Sequence, residues 1–489
     1  MAAPMRTHRT WLLTLGLLAS LALLAACAVP LGPGYHLRRE TVTVRYQAGG
    51  PLRVRTDARM KNVGNAPLDE LTLQAPERAR EGAAVWIAGR QVSAVAKTVA
   101  DEPQLVAPLS PPLAEQGSLD FRLEYEIPAP SLDFVLNPAA WFTDFVPPKH
   151  LFAKGHSRAG KTELEIFVPA GYRALTTGRS RGVRSSRSGT ETEYRFEVRP
   201  DDFPPFLVVG KFQQQKIRVH GRDVVFWTVQ PLAAGCAQSF AAHLGATANL
   251  YRSTFGRLSK RKSPIPVIEI SRDGRSTARE EGGFGSVPQG VSFSVAPAEL
   301  CRQPQRFFPA VDRALAATWF GWAVAPEPDA RALFEGGARR YAELVAEEGG
   351  SPAEARRRQV GAWLAEYDRL RSRAKPIAPV SLKRDSPAAE RQMAGIQSAL
   401  SLIAFQDRFG PVAIQHALAH LVSSLRNSTA GLDDVRSAFE QAAGRNLFGF
   451  FNQWLGRPGI PEGFRKRYAA ANGKTARAED SISISRRER

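Results

Sequence analysis

Two histidines four residues apart, His416 and His420 in the segment HALAH, have the spacing of a helical metal clamp. Residues at i and i+4 share one helix face, so two imidazoles there can reach a single divalent ion. A catalytic zinc also needs a third protein ligand and a base beside its bound water. Between these histidines stand Ala417, Leu418 and Ala419, and the sequence nominates no third ligand. The expectation is a surface or half-buried pair, with metal binding left open. Cys236 and Cys301 pose a second question. An oxidising compartment would let them bridge, whereas helix-like surroundings suit two separate small buried residues. Trp319, Trp322 and Trp454 read as core rather than as stacking platforms.

The chain that must position these groups has 489 residues, 43% hydrophobic and 23% charged. That is a globular composition, long enough for several domains. It begins MAAPMRTHRTWLLTLGLLASLALLAAC, with Arg6 and Arg9, an apolar run from Trp11 to Leu24, then small residues up to Cys27. The run is short for a membrane span and has the layout of a secretory signal. Its end, Leu24-Ala25-Ala26-Cys27, resembles a bacterial lipobox, which implies cleavage before Cys27 and lipid on that residue. Residues 1–26 are therefore read as a signal peptide and 27–40 as a tether. Over 41–215, segments such as TVTVRYQ, LDFRLEYEI, TELEIFV and EYRFEV alternate apolar with polar residues, which predicts a mostly antiparallel β domain with one solvated face. Residues 216–470 change character. CAQSFAAHLGATANLYRSTFG has helical spacing, PIPVIEIS reads as a short buried strand, and helices are expected over 304–325, 329–347, 352–372, 388–408, 411–425, 432–443 and 447–455. Residues 471–489 have almost no apolar side chains and are expected to be a disordered basic tail.

Several phrases, taken in order, carry a resemblance. They are FLVVGKF (Phe206–Phe212), STFG (Ser253–Gly256), EGGFG (Glu281–Gly285), TWFGWAVAP (Thr318–Pro326), LFEGGARRY (Leu333–Tyr341) and FFNQWLGRPGIP (Phe450–Pro461). From about 41 to 462 the chain resembles the zinc aminopeptidases of the aminopeptidase N family, the M1 gluzincins. The resemblance implies a multidomain α and β fold, with an antiparallel β domain followed by a thermolysin-like, mainly helical one. That family's metal helix reads H-E-x-x-H directly before Trp-Phe-Gly. Counting back from Trp319, the two histidine positions hold Arg313 and Ala317, and the base position holds Ala314. Glu335 matches the third ligand, one residue closer than usual. The glutamate that binds the substrate amine in G-x-M-E-N corresponds to Gly285. Where the family has its transition-state tyrosine, RQMAGIQSAL offers Gln392 and Ala394 before Gly395. The resemblance thus implies a cleft without a catalytic set or a metal set, with Gly283, Phe284, Gly285, Arg313, Trp319 and Glu335 as candidate lining. Arg313 is expected either to pair with Glu335 in the metal's place or to point along the groove into solvent.

The formal charge is +19, with basic clusters at RLSKRK (Arg257–Lys262), RKRY and SRRER. For a lipid-anchored envelope protein the counter-surface would be anionic lipid or cell-wall polymer, not nucleic acid. Arginine-rich bias on solvated faces fits the same numbers. The expected protein is an envelope lipoprotein, held through Cys27 on the periplasmic side of the outer membrane. It would bind a peptide, polymer or protein partner without cutting it and would need no cofactor. The alternative is a zinc-dependent metallopeptidase with an altered site. Fold alone does not choose between them.

Overall fold

Alternating side chains set the first half of the molecule. Leu52–Asn62 (LRVRTDARMKN) and Thr162–Pro169 (TELEIFVP) bury every second residue, as a strand with one covered face must. These strands belong to an eight-stranded sheet in the order Arg179–Ser185, Glu191–Val198, Thr162–Pro169, Tyr35–Tyr46, Leu52–Asn62, Ser118–Ile127, Ala84–Ile87, Arg90–Val92. Neighbours run antiparallel except Tyr35–Tyr46 beside Thr162–Pro169, where Glu40 faces Thr162 in parallel register. A three-stranded sheet (Leu68–Gln74, Glu102–Leu113, Val95–Val99) covers one face. The shared core holds Val44, Val54, Met60, Leu71, Leu105 and Leu123, each worth about 1.5–3 kcal/mol when fully buried. The open face carries ion pairs instead. Asp57 accepts from Arg55 Nε at 2.6 Å and from Arg122 Nε at 2.8 Å.

This computed structural model describes residues 35–468, apart from 49, 75–81, 100–101, 128–140, 144–160, 200–201, 204–205, 259–263, 271–282, 348–351 and 384. The signal, Cys27, most of the tether, the 471–489 tail, Glu281 and Gly282 lie outside the described residues. Two expected boundaries shift. Tyr35–Tyr46 is strand, which overlaps the segment 27–40 expected as a tether. The 215/216 boundary falls inside the strand Gln213–Val219, which pairs with Arg222–Thr228 through a His220-Gly221 turn. Both turn residues have positive φ, 49° and 71°, the geometry of a tight two-residue hairpin. QQQKIRV alternates like its predecessors, so pattern alone could not assign it to the second region.

That hairpin opens a five-stranded sheet, continued by Ile265–Glu269, Gly290–Phe293 and, at the edge, Phe284–Val287. Helix α1 (Ala234–Thr254) makes the crossover between the parallel strands Arg222–Thr228 and Ile265–Glu269. Next come α2 (Pro297–Arg302), α3 (Phe308–Ala316), α4 (Arg339–Glu347), α5 (Pro352–Arg371), α6 (Ala388–Phe409), α7 (Pro411–Ser424), α8 (Leu432–Ala443) and α9 (Phe448–Trp454). The helix expected over 304–325 is therefore shorter. It stops at Ala316, and Val324–Pro326 becomes a strand beside Ser428–Ala430. Gly321 explains the turn in between: a Cβ there would lie 2.6 Å from the Arg339 guanidinium, which packs against this backbone and donates to the Phe320 carbonyl. No described helix is long and apolar enough to cross a membrane. A small cluster, Leu175, Phe206, Val208 and Phe212 against Ile268 and Val287, joins the β region to the second sheet.

Candidate functional site

Helix α3 (FPAVDRALA) starts on Phe308-Pro309, where the missing proline N–H costs nothing. It buries Val311, Asp312, Ala314, Leu315 and Ala316. Ala314 and Ala317 are fully enclosed. The base position and the second ligand position of the motif are thus methyl groups in close packing. Arg313, at the first ligand position, is held by a carboxylate, but not the expected one. Its Nε donates to Glu343 Oε2 at 2.7 Å, with the two side chains only 16% and 6% exposed. Glu335 is itself exposed. The expected Arg313–Glu335 pair is thus replaced by Arg313–Glu343, and the solvent-pointing alternative also fails. Glu335 lies within a π-helical turn, Ala332–Ala338, and Glu343 on the helix that follows it.

That turn is pressed against α6. A Cβ on Gly336 would fall 2.2 Å from Gly395 Cα, and one on Gly337 would fall 2.8 Å from Ser398 Cβ. At the positions expected for the tyrosine, Ala394 is buried and Gln392 half-buried. The other lining candidates divide. Phe284 and Trp319 are core residues, the former ringed by Phe240, Phe293 and Phe307, the latter donating Nε1–H to the Gly256 carbonyl at 3.0 Å. Gly285 is buried and Gly283 half-buried. Trp454 is core as expected, while Trp322 is only half-buried and donates to Ser286 Oγ at 3.3 Å.

A buried polar seam runs on from Arg313, and most of it was not anticipated from sequence. Asp312 Oδ1 takes His243 Nε2 at 2.7 Å and the Thr247 hydroxyl at 3.0 Å, while Tyr251 donates to the Asp312 carbonyl at 3.3 Å. The His243 ring lies flat on Phe308, centroids 3.8 Å apart. His243, Thr247 and Tyr251 are spaced i, i+4, i+8, a face of α1 that the sequence does display. On the other side of the pair, Arg340 reaches Glu366 at 3.9 Å. Burial pushes both Asp312 and Glu343 upward from the ordinary carboxylate range, against the pull of His243 and Arg313 respectively. The seam joins α1, α3, α4 and α5. It is a set of restraints between helices.

His416 and His420 stand exposed on α7. Among the described residues no group of three His, Cys, Asp or Glu could hold a metal. Cys236, in the first turn of α1, and Cys301, in α2, form a disulfide, which closes the question left open by their surroundings.

No protein-family model matches the sequence, and no curated protein matches it either. Solved structures do. A mutant M1 zinc metallopeptidase from Deinococcus radiodurans superposes at 17% identity and TM-score 0.60, over 88% of this chain and 96% of that one. The M1 zinc metallopeptidase from the same organism gives 15%, TM-score 0.61, 86% and 94%. A two-domain M1 zinc metallopeptidase mutant bound to L-arginine gives 16%, TM-score 0.61, 88% and 95%. Those neighbours are named for zinc, and Arg313, Ala314 and Ala317 offer it no ligand. An arginine has no lone pair for a cation, and buried methyl groups supply no donor. The protein has the fold of the two-domain M1 zinc metallopeptidases, with an arginine–glutamate pair and two alanines at the centre of the metal-helix frame.

Proposed function

We propose that this protein is a non-catalytic relative of the zinc peptidases whose fold it shares, anchored in a bacterial envelope and binding a partner without hydrolysing it. The observation that carries this reading is Arg313 seated on Glu343, beside the enclosed Ala314 and Ala317 on the same segment. A fixed guanidinium repels a divalent ion at the point where ligands would have to converge. The preferred partner is a peptide, since one structural neighbour is described with a Tyr-Ser-Ala substrate bound; a cell-wall polymer or an envelope protein are the other candidates. Placement in the envelope is supported by the Cys236–Cys301 bridge, which suits an oxidising compartment, and by the LAAC sequence ending at Cys27. Ala28 is not the aspartate that retains such proteins at the inner membrane, which favours the outer membrane. With the first hairpin reassigned, the β domain ends near residue 212 rather than 215.

The test is hydrolysis of fluorogenic aminoacyl substrates by the purified full chain, with and without a chelator. The expected result is no chelator-sensitive turnover. Turnover abolished by chelator and restored by zinc would favour the alternative, a metallopeptidase with a rebuilt site.

A further inference from the structure

Helix α5 ends in a run of cations. In DRLRSRAK (Asp368–Lys375), Arg369, Arg371, Arg373 and Lys375 are all exposed. The single acid, Asp368, is already taken by Arg465, whose two terminal nitrogens each approach a carboxylate oxygen at 3.0 Å. The Arg465 guanidinium also lies 5.6 Å from the Tyr367 ring centre. Burial pushes the Tyr367 phenol up while Arg465 and Arg371 pull it down, so both cations sit near it. This contact brings the C-terminal helix 462–468, with exposed Lys466, to the end of α5. Glu462, one turn back, is the exposed acid of that segment.

One or two cations at a helix C-terminus satisfy its carbonyls. Four within seven residues, joined by a fifth from another segment, repel one another and favour an anionic counter-surface. The shape narrows the choice. These side chains project from a helix end, and none of the exposed large apolar residues (Val95, Val183, Leu250, Val412, Phe448) lies among them. A nucleic acid or saccharide chain is usually held by stacking groups in a groove, whereas a plane of head groups needs only a dense positive field. We propose that Arg369, Arg371, Arg373, Lys375 and Lys466 dock the helical region on an anionic phospholipid bilayer. This rests on the envelope placement proposed above and is independent of whether the protein hydrolyses anything.

The test uses the full chain reconstituted into phosphatidylcholine vesicles with or without phosphatidylglycerol, its lysines labelled by a water-soluble amine reagent and read by mass spectrometry. Each cation at an anionic surface multiplies partitioning about five-fold. Labelling of Lys375 and Lys466 should therefore slow at least five-fold or so on anionic vesicles, and added salt should reverse the effect. Lys216, 58% exposed on the first hairpin of the second sheet, should not change. The triple variant Arg369→Ser, Arg373→Ser, Lys375→Ser should lose the protection at Lys466. Equal rates on both vesicle types would overturn the proposal, as would protection without phosphatidylglycerol, which needs only the anchor's proximity. Stronger protection by soluble polyphosphate than by vesicles would assign the surface to a polymer and overturn it too. A chain that fails to float with vesicles would overturn the envelope placement as well, whereas a chain that floats with unprotected lysines would overturn this surface alone.

Discussion

Glu197 in the β region and Glu343 in the helical region are both held by arginine, yet their chemistry runs in opposite directions. Glu197 lies among Arg181, Arg199 and Lys161, cations that are themselves 45%, 47% and 58% exposed. Bonds from Arg181, then Arg199, hold its carboxyl down at about 2. Glu343 has one direct guanidinium in a closed interior, and burial outweighs Arg313, so its carboxyl rises. Both carboxylates are only 6% exposed, but three half-exposed cations outweigh the lost hydration of Glu197. Glu343 has a single guanidinium, itself 16% exposed, which offsets less than its lost hydration. The Arg313–Glu343 pair therefore restrains helices at an energetic cost.

The most severe way to break this contrast is Arg313→Ala. Removing one partner strands the buried carboxylate and should cost about 3–5 kcal/mol in chemical denaturation. The loss should shrink as pH falls, because a neutral Glu343 needs no cation. For a raised carboxyl, the stabilising contribution is complete below the ordinary glutamate range and is lost as pH climbs through the raised value. Glu197 predicts the reverse: its contribution is complete above the ordinary range and is lost as pH falls toward about 2. Denaturant midpoints of Glu343→Gln and Glu197→Gln across pH should thus flatten opposite limbs of the profile.

Gly336→Ala ranks next. Its new methyl meets the α6 backbone at 2.2 Å, which should cost about 1–3 kcal/mol by overpacking and move the thermal midpoint accordingly. The double change Arg313→Met with Glu343→Leu should be close to neutral or stabilising by about 1–4 kcal/mol, as for other buried pairs replaced together. A double-mutant cycle separates that outcome from simple additivity. Arg181→Ala, whose carboxylate keeps Arg199 and Lys161, should have the smallest effect on the denaturation midpoint.

Much of this was written in the chain, though unevenly. The expected helix over 388–408 is α6 almost to the residue, because a long apolar stripe ending at Gly410 leaves few options. The β region was legible from its alternation, with Gln213–Val219 misplaced because a strand's pattern does not say which sheet it joins. At the site, the Trp319-Phe320-Gly321 phrase set the register used to place Arg313, Ala314 and Ala317 against the motif. The partner of Arg313 was missed because Glu343 lies 30 positions away and just beyond the LFEGGARRY phrase, so only packing brings it under the guanidinium. Asp312 with His243 was missed because their contact spans 69 positions, and only packing reveals it.

The central claim is that the frame of the metal helix cannot take up a divalent ion. Zinc per chain, measured by elemental analysis after the purified protein has been equilibrated with zinc and passed through a desalting column, addresses it directly. Far less than one equivalent is expected, unchanged by Arg313→Ala. One tightly held equivalent that disappears when Glu335 or Glu343 is replaced would contradict it.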